Sequence, residues 1–196
     1  MLDAVGSWSG VATGSYGYNA EMTGAMLFDG VSAYVTLSSF AFITPAKGTG
    51  APMGVSFWAR TSSTSRAQGF MALGYGSANL VNVAPFGNAG TAEVTFGSLG
   101  VLTSSIVPPV TSWTHYAVSV DASANAALYV NGSLAASAVL SGFWPGKTAA
   151  TTYIGWGTAG YLSGAISDVQ VSAAAPLTAF NALSMFQGAP SQADRL

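Results

Sequence analysis

Charged residues are scarce in this sequence. Lys and Arg number 5, and Asp and Glu number 7, so only 6% of the 196 residues are charged, compared with about 25% in an ordinary domain. The net charge of -2 produces no extended field of either sign, which argues against nucleic acid and membrane surfaces as partners. Because an almost uncharged surface tends to associate, we expect a homo-oligomer or a place in a larger particle.

Cysteine is absent, and the only histidine is His115. These two facts exclude disulfide and thiolate chemistry and metal sites built from several histidines, and they leave a serine triad with one candidate base. The two glutamates, Glu21 and Glu93, have no acidic residue within three positions, so the paired carboxylates of glycoside hydrolysis are missing. We therefore expect no enzymatic activity.

The longest charge-free stretch runs from Asp121 to Lys147, but it does not predict a membrane span. The turn sequence 131–133 divides it into two apolar pieces that are much shorter than the ~20 residues needed to cross a bilayer. Residues 131–133 also form a glycosylation sequon, which we interpret first as a turn. The N-terminus shows no basic region followed by an apolar run. An extracellular or virion-surface location would then require a removed leader or export inside a virion.

Short apolar runs separated by turn residues dominate the remaining sequence, which contains 24 glycines and 8 prolines. This pattern predicts an all-β chain, and the length fits one domain over residues 1–196. The number of runs exceeds one flat sheet, so we expect two packed sheets. The predicted strands are residues 25–28, 33–37, 53–61, 69–75, 80–85, 91–96, 113–120, 126–131, 134–140, 152–155 and 164–172.

Three local patterns support this interpretation. Residues 53–61 alternate, with Phe57 on one face and Trp58 on the other. The pair Asn131-Gly132 lies between two apolar runs and predicts a tight hairpin. The spacing of apolar residues in 176–186 predicts a short C-terminal helix.

Four segments resemble the laminin-G-like, concanavalin A-like lectin and glucanase superfamily. They are residues 25–37 (AMLFDGVSAYVTL), 55–60 (VSFWAR), 113–132 (WTH through LYVNG) and 154–171 (IG through LSGAISDVQV). This resemblance implies an antiparallel two-sheet jelly-roll sandwich with its core in residues 25–186. The family contains glycan binders, adhesion modules, glycoside hydrolases and virion surface proteins, so it predicts the fold better than the function.

The resemblance also implies a candidate metal site, because many laminin-G-like domains bind Ca²⁺ through oxygen ligands. Asp29 and Asp168 are the carboxylates at the matching positions. Two departures weaken this hypothesis: the family's first closing-strand aspartate is Ser167 here, and its following arginine is Gln170. The alternative is that each aspartate caps a turn by accepting backbone N–H bonds. The resemblance likewise places His115 on a core strand and implies a structural rather than a catalytic role for it.

Aromatic residues in Gly-rich and Ser-rich segments are the candidates for glycan binding, because sugars offer apolar ring faces and hydroxyl edges. The predicted ligand-binding residues are Trp156, Tyr161, Trp144 and Tyr75. Trp156 lies within residues 155–160 and Tyr161 directly follows them. The G-x-G-x-x-G pattern of these residues precedes a predicted strand and is therefore a turn rather than a dinucleotide site.

Two hypotheses follow from these observations. One is a non-catalytic recognition module that binds a glycan or a surface protein. The other is a structural decoration or appendage subunit of a virion or cell surface without a small ligand of its own.

Overall fold

The computed structural model describes residues 10–19, 24–40, 52–75, 81–141, 150–172 and 178–187. Sixteen strands and one short helix lie in these ranges. In chain order they are β1 Val11–Thr13, β2 Tyr16–Asn19, β3 Ala25–Asp29, β4 Tyr34–Phe40, β5 Met53–Thr61, β6 Met71–Tyr75, β7 Val81–Ala84, β8 Glu93–Phe96, β9 Val101–Thr103, β10 Thr114–Val120, β11 Asn125–Val130, β12 Ser133–Val139, β13 Ala150–Ile154, β14 Trp156–Gly157, β15 Gly160–Tyr161, β16 Ser163–Ser172 and α1 Ala179–Gln187.

The strands form two seven-stranded sheets and a two-stranded hairpin. We call the sheet with the order β1-β4-β13-β6-β7-β8-β9 the front sheet, and the sheet with the order β12-β11-β10-β5-β16-β3-β2 the back sheet; β14 and β15 form the hairpin. The named strands pair antiparallel throughout. β3 lies beside β16, with Phe28 opposite Gly164. The prediction of an all-β sandwich with a short C-terminal helix is confirmed.

The core lies between the inward faces of the two sheets. Val55, Phe57 and Ala59 of β5 are buried there, and Trp58 faces outward between them. The Phe57 ring stacks on Tyr116 of β10 at 5.6 Å and meets Phe70 edge-on at 5.5 Å. The predicted alternation of β5 is therefore confirmed, and this aromatic cluster joins the two sheets.

The hairpin between β11 and β12 turns at Asn131 and Gly132. Both residues have positive φ, 49° and 76°, which is the conformation that a two-residue hairpin requires and that Asn and Gly adopt most easily. The Asn131 side chain adds a bond, since its Oδ1 accepts the backbone N–H of His115 at 2.9 Å. The predicted turn is confirmed.

Helix α1 covers the outer face of the back sheet. Thr178 precedes its first turn, and its Oγ1 accepts the N–H of Asn181 at 3.2 Å as a helix cap does. Phe186 stacks on Trp58 at 5.7 Å and lies 6.3 Å from the ring of His115. Pro176, where the sequence predicts the helix to start, lies outside the described residues. No helix in the described ranges is long and apolar enough to cross a membrane.

Five short strands were not predicted from the sequence: β1, β2, β9, β14 and β15. Each has two to four residues, and a pattern with a period of two residues is hardly visible over such a length. Two of them, β14 and β15, form part of the candidate site.

Candidate binding site

Four aromatic side chains gather on the outer face of the front sheet, where β4 begins and β13 ends. They are Tyr34 of β4, Tyr153 of β13, Trp156 of β14 and Tyr161 of β15, and each is half-buried. The ring centroids lie 5.5 Å apart for Tyr34 and Tyr153, 4.9 Å for Tyr153 and Trp156, and 6.1 Å for Tyr34 and Tyr161. We call these four residues the aromatic platform.

Strand alternation places two of the four rings. Val35 and Ile154 are directly opposite each other in the β4–β13 pair and are buried in the core. Because successive side chains point to opposite faces of a sheet, their neighbours Tyr34 and Tyr153 lie on the outer face. The platform is therefore supported from below by the packed core.

The β14–β15 hairpin places the other two rings. Trp156 is paired with Tyr161, and Thr158 at the turn donates its N–H to Asn82 Oδ1 of β7 at 2.9 Å. The backbone of the hairpin is also tied to the segment that leads into β6, since Gly69 donates its N–H to the carbonyl of Gly160 at 3.2 Å. The hairpin is thus folded onto the sheet rather than projecting from it.

Glycine is required at the entry to this hairpin. Gly155 has φ +80° and a Cβ there would collide with the ring of Phe28, while a Cβ at Gly157 would collide with the side chain of Asn82. These close approaches explain the first two glycines of the G-x-G-x-x-G pattern. No helix begins at this turn, so its interpretation as a glycine-rich turn is confirmed.

Hydroxyl groups lie around the platform, and charged groups do not belong to it. Thr36 is directly opposite Tyr153, and Thr13 of β1 is directly opposite Tyr34. Thr151 lies two residues before Tyr153, on the same face of β13. An apolar surface with a rim of neutral hydrogen-bonding groups fits a sugar ring, which has apolar faces and hydroxyl edges.

The structure brings together two of the four ligand-binding residues predicted from the sequence. Trp156 and Tyr161 are paired. Tyr75 is the last residue of β6 and pairs with Thr151, but its side chain lies outside the described part of the chain, so its role in ligand binding stays a prediction. Trp144 lies outside the described residues.

Tyr34 and Tyr153 were not predicted as site residues, because both lie within predicted strands and the prediction was based on aromatic residues in loops or at strand ends. Their signal is present, since each tyrosine precedes a β-branched residue within a predicted strand and so falls on the opposite face. That signal identifies an outward tyrosine on a strand. It does not show that the two strands are neighbours.

Asp29 is engaged in its own turn. Its Oδ1 accepts the N–H groups of Val31, Ser32 and Ala33 at 2.8 to 2.9 Å, and its Oδ2 accepts the hydroxyl of Ser32 at 2.8 Å. These hydrogen bonds hold the pKa of the Asp29 carboxyl well below its usual range, and the bond from the Ser32 N–H contributes most. The turn-capping interpretation accounts for Asp29 without a metal.

Asp168 lies far from Asp29. It occurs with φ 51° at an irregularity of β16, between Ser167 and Gln170. Asp29 is opposite Ser163, five residues earlier in β16, so the two carboxylates are separated by roughly 16 Å along the strand. They do not form one site, and in the described part of the chain no cluster of three or more His, Cys, Asp or Glu side chains can hold a metal.

The geometry around His115 supports a structural role. The residue is 2% exposed, and its ring packs against Trp58 at 5.4 Å. Burial lowers the pKa of His115 to about 4. Its buried Nδ1 has no hydrogen-bond partner, whereas the base of a serine triad needs an acceptor at that atom.

Comparison with known proteins identifies the family. A model of laminin-G-like domains, described as the concanavalin A-like lectin/glucanases superfamily, matches residues 29–179. The chain belongs to this superfamily. This agrees with the sequence resemblance stated above. A comparison with curated proteins found no match.

Solved structures with the same fold include domains that contact carbohydrate. Domain 4 of AbnA, a GH43 extracellular arabinanase from Geobacillus stearothermophilus solved with arabinotriose, has a TM-score of 0.77 and 21% identity, covering 95% of this chain and 92% of that one. The binding domain of botulinum neurotoxin serotype D has a TM-score of 0.73 and 13% identity, covering 95% of this chain and 48% of that one. The binding domain of botulinum neurotoxin DC, solved with SialylT, has a TM-score of 0.64 and 11% identity, with coverages of 97% and 49%.

The superfamily member described here therefore spans nearly the whole arabinanase domain and about half of each toxin binding domain. At these identities the likeness shows the fold.

Proposed function

We propose that this protein is a non-catalytic glycan-binding module and that its ligand lies on the aromatic platform. The observation that carries this proposal is the continuous contact of Tyr34, Tyr153, Trp156 and Tyr161, with successive centroids 4.9 to 6.1 Å apart. Half-buried rings on a rigid sheet present their faces or edges at low conformational cost. The arabinanase domain solved with arabinotriose supports the choice of ligand class.

The preferred ligand is a neutral glycan. The platform and its three threonines include no Lys, Arg or His that could pair with an acidic sugar. An acidic ligand would therefore find no compensating cation among these seven residues.

The same site has no chemistry for bond cleavage. Glu93 lies on β8, where its Oε2 accepts the N–H of Asn88 at 3.3 Å, and the sequence contains no second carboxylate near it. Hydrolysis of a glycoside needs two carboxyl groups on either side of the bond. Binding without turnover is the proposed activity, and an extracellular location is the proposed setting.

The alternative is a decoration or appendage subunit of a virion or cell surface. The observation that favours it is the 6% content of charged residues, which leaves broad surfaces that neighbours can cover. A surface subunit can also carry a glycan site, so the two functions are compatible.

Substitution of the platform tests glycan binding. We expect Trp156→Ala and Tyr161→Ala each to weaken binding of neutral oligosaccharides such as arabinotriose by about tenfold or more, or ~1.4 kcal/mol, as measured by calorimetry. Tyr18→Ala is the matched control, because Tyr18 is 73% exposed on β2 and is not part of the platform. SialylT, measured in parallel, should bind more weakly than the neutral ligand. Absence of binding across a glycan array, or equal affinities for the Trp156 variant and the wild type, would refute the proposal.

A further inference from the structure

The β14–β15 hairpin covers part of the outer face of the front sheet. Ala72 of β6 is directly opposite Tyr153, and Asn82 of β7 is directly opposite Ala72, so all three side chains lie on that outer face. Yet Ala72 is 0% exposed and Asn82 is 6% exposed, and Asn82 accepts the N–H of Thr158 from the hairpin turn. The hairpin is therefore an additional layer above β6 and β7, and it forms a wall on one side of the aromatic platform.

A second side of the platform is bounded by the chain that leaves the hairpin. Leu162, which follows Tyr161, donates its N–H to the carbonyl of Gly155 at 2.8 Å. Ser163 lies against Gly30, where an added Cβ would be 2.9 Å from the Ser163 Cβ. The segment 161–163 therefore crosses the end of the front sheet at which β13 ends and β4 begins. A ligand that runs along these strands meets Tyr161 at this end.

The side of the platform toward β1 is open. β1 is the last strand of the front sheet, and no strand of the described ranges lies beyond it. Val11 of β1 is directly opposite Thr36 and is 62% exposed. Because Thr36 is in turn directly opposite Tyr153, these three residues form one row across three strands. At about 4.8 Å between neighbouring strands, this row is roughly 10 Å long. We call it the exit row.

We infer that the platform binds the end of a neutral glycan chain rather than its interior, and that the chain leaves the site over β1. This inference rests on the proposed function and specifies its ligand. The terminal sugar ring lies on the aromatic platform, where the hairpin and the segment 161–163 prevent the chain from continuing. The next rings follow the exit row toward Val11. With ring centres about 5 Å apart, a row of roughly 10 Å holds about three sugar rings, including the terminal one.

The terminal ring contributes most of the affinity. The platform offers it four aromatic rings, which are the largest contact surfaces for an apolar sugar face. The three residues of β1 include no aromatic ring and no charge, so the later rings gain only the side chains of Val11, Thr36 and Thr13. We therefore expect the affinity to rise modestly from the monosaccharide to the trisaccharide and to stay constant for longer chains.

The number of proteins bound per chain distinguishes the two modes of binding. A linear polysaccharide has one end of each kind whatever its length, so a site for a chain end saturates at one protein per chain. A site for the chain interior needs a groove that is open at both ends. Its saturation ratio increases in proportion to the length of the chain.

Calorimetric titration of the wild-type protein tests the inference. The probes are arabino-oligosaccharides of one to six units and two length fractions of debranched, linear arabinan, or the same set of the neutral glycan that binds best on the array. We expect the affinity to reach its plateau at the trisaccharide, and one protein per chain for both fractions. A ratio that grows with chain length, or an affinity that still rises from the trisaccharide to the hexasaccharide, would overturn the inference.

Blocking the two ends of the ligand in turn gives an independent measurement. One trisaccharide carries a bulky fluorophore at its reducing end, and a second carries the same group at its non-reducing end. We expect one of the two labels to weaken binding by at least tenfold, because it collides with the hairpin, and the other to be tolerated. Equal tolerance of both labels would contradict binding of a chain end.

Substitution of Val11 tests the direction in which the chain leaves. We expect Val11→Asn to weaken binding of the trisaccharide by about threefold and to leave the monosaccharide unchanged. Val139→Asn is the matched control, because Val139 is 72% exposed on β12, the last strand of the back sheet. Circular dichroism checks that both variants fold, and equal affinities of the Val11 variant and the wild type for the trisaccharide would exclude β1 as the exit. Absence of binding by the wild type to every probe would instead refute the proposed function itself.

Discussion

Individual residues of this protein differ in role according to the face of the strand on which they lie. Tyr34 and Val35 are adjacent in sequence, yet Val35 is 1% exposed in the core and Tyr34 belongs to the platform. The same rule separates Phe57, which stacks in the core, from Trp58, which stacks beneath α1. Aromatic residues therefore contribute to three different parts of the sandwich: the core, the contact with α1 and the aromatic platform.

His115 gives the protein a pH dependence that can be measured. Burial lowers its pKa from 6.5 to about 4 in the folded state, so between these values the unfolded chain binds the proton more readily. Stability is then fully present above pH 6.5 and decreases as the pH falls toward 4, by on the order of 3 kcal/mol. Urea unfolding at a series of pH values measures this slope.

The control for this prediction is His115→Phe, which keeps an aromatic ring beside Trp58 and removes the titrating group. We expect its stability to vary much less between pH 6.5 and 4. The lowered pKa values of Asp29 and Asp121 affect stability in a different pH range, because the stability they provide is lost only as the pH falls below about 3.8. A wild type whose stability is flat across the window would show that His115 is not desolvated in solution.

At the scale of elements, the β11–β12 hairpin and α1 depend on each other. Gly132 has φ +76°, and a Cβ there would lie 3.0 Å from the Leu183 Cα. Gly24 has φ +80° with no atom within 4 Å of such a Cβ. The two positions therefore share the backbone strain and differ in the contact with the helix.

We expect Gly24→Ala to reduce the free energy of unfolding by about 1 to 2 kcal/mol, the cost of a left-handed conformation. Gly132→Ala should reduce the free energy of unfolding by roughly 1 kcal/mol more than Gly24→Ala, because the helix has to shift as well. Denaturant unfolding of both variants measures the difference. Equal losses of stability in the two variants would indicate that α1 can shift without a cost in free energy.

Elements with a strong local signal were predictable, and those without one were not. Asn131 and Gly132 adopt the positive φ values that their sequence indicates, and β5 places Val55, Phe57 and Ala59 in the core and Trp58 on the outer face, as its alternation predicts. In contrast, β9 has three residues and β14 has two, so no period can be read from them. The edge position of β12 also has no sequence signal, because it depends on the order of strands.

At the scale of the whole molecule, the platform results from strand order. Tyr34 and Tyr153 are distant in sequence and become neighbours because β4 and β13 pair in the front sheet. Periodicity predicts the face of each tyrosine, whereas it carries no information on which strands are adjacent.

The calcium hypothesis is also tested on the whole molecule, through its melting temperature. A metal held only by the folded state raises the melting temperature, and a chelator then lowers it. Because Asp29 is engaged in its turn and lies far from Asp168, we expect the melting temperature to be the same in EDTA and in millimolar Ca²⁺. A decrease in EDTA, with calcium found by elemental analysis, would contradict this expectation.

The attachment of the β14–β15 hairpin has a consequence for protein engineering. Its position is fixed by backbone N–H and carbonyl groups and by Asn82, together with glycines that allow close approach. The side chain at position 161 contributes to none of these hydrogen bonds. Position 161 can therefore be randomised in a library that keeps the attachment of the hairpin backbone, and such a library would offer new ligand preferences on an unchanged scaffold.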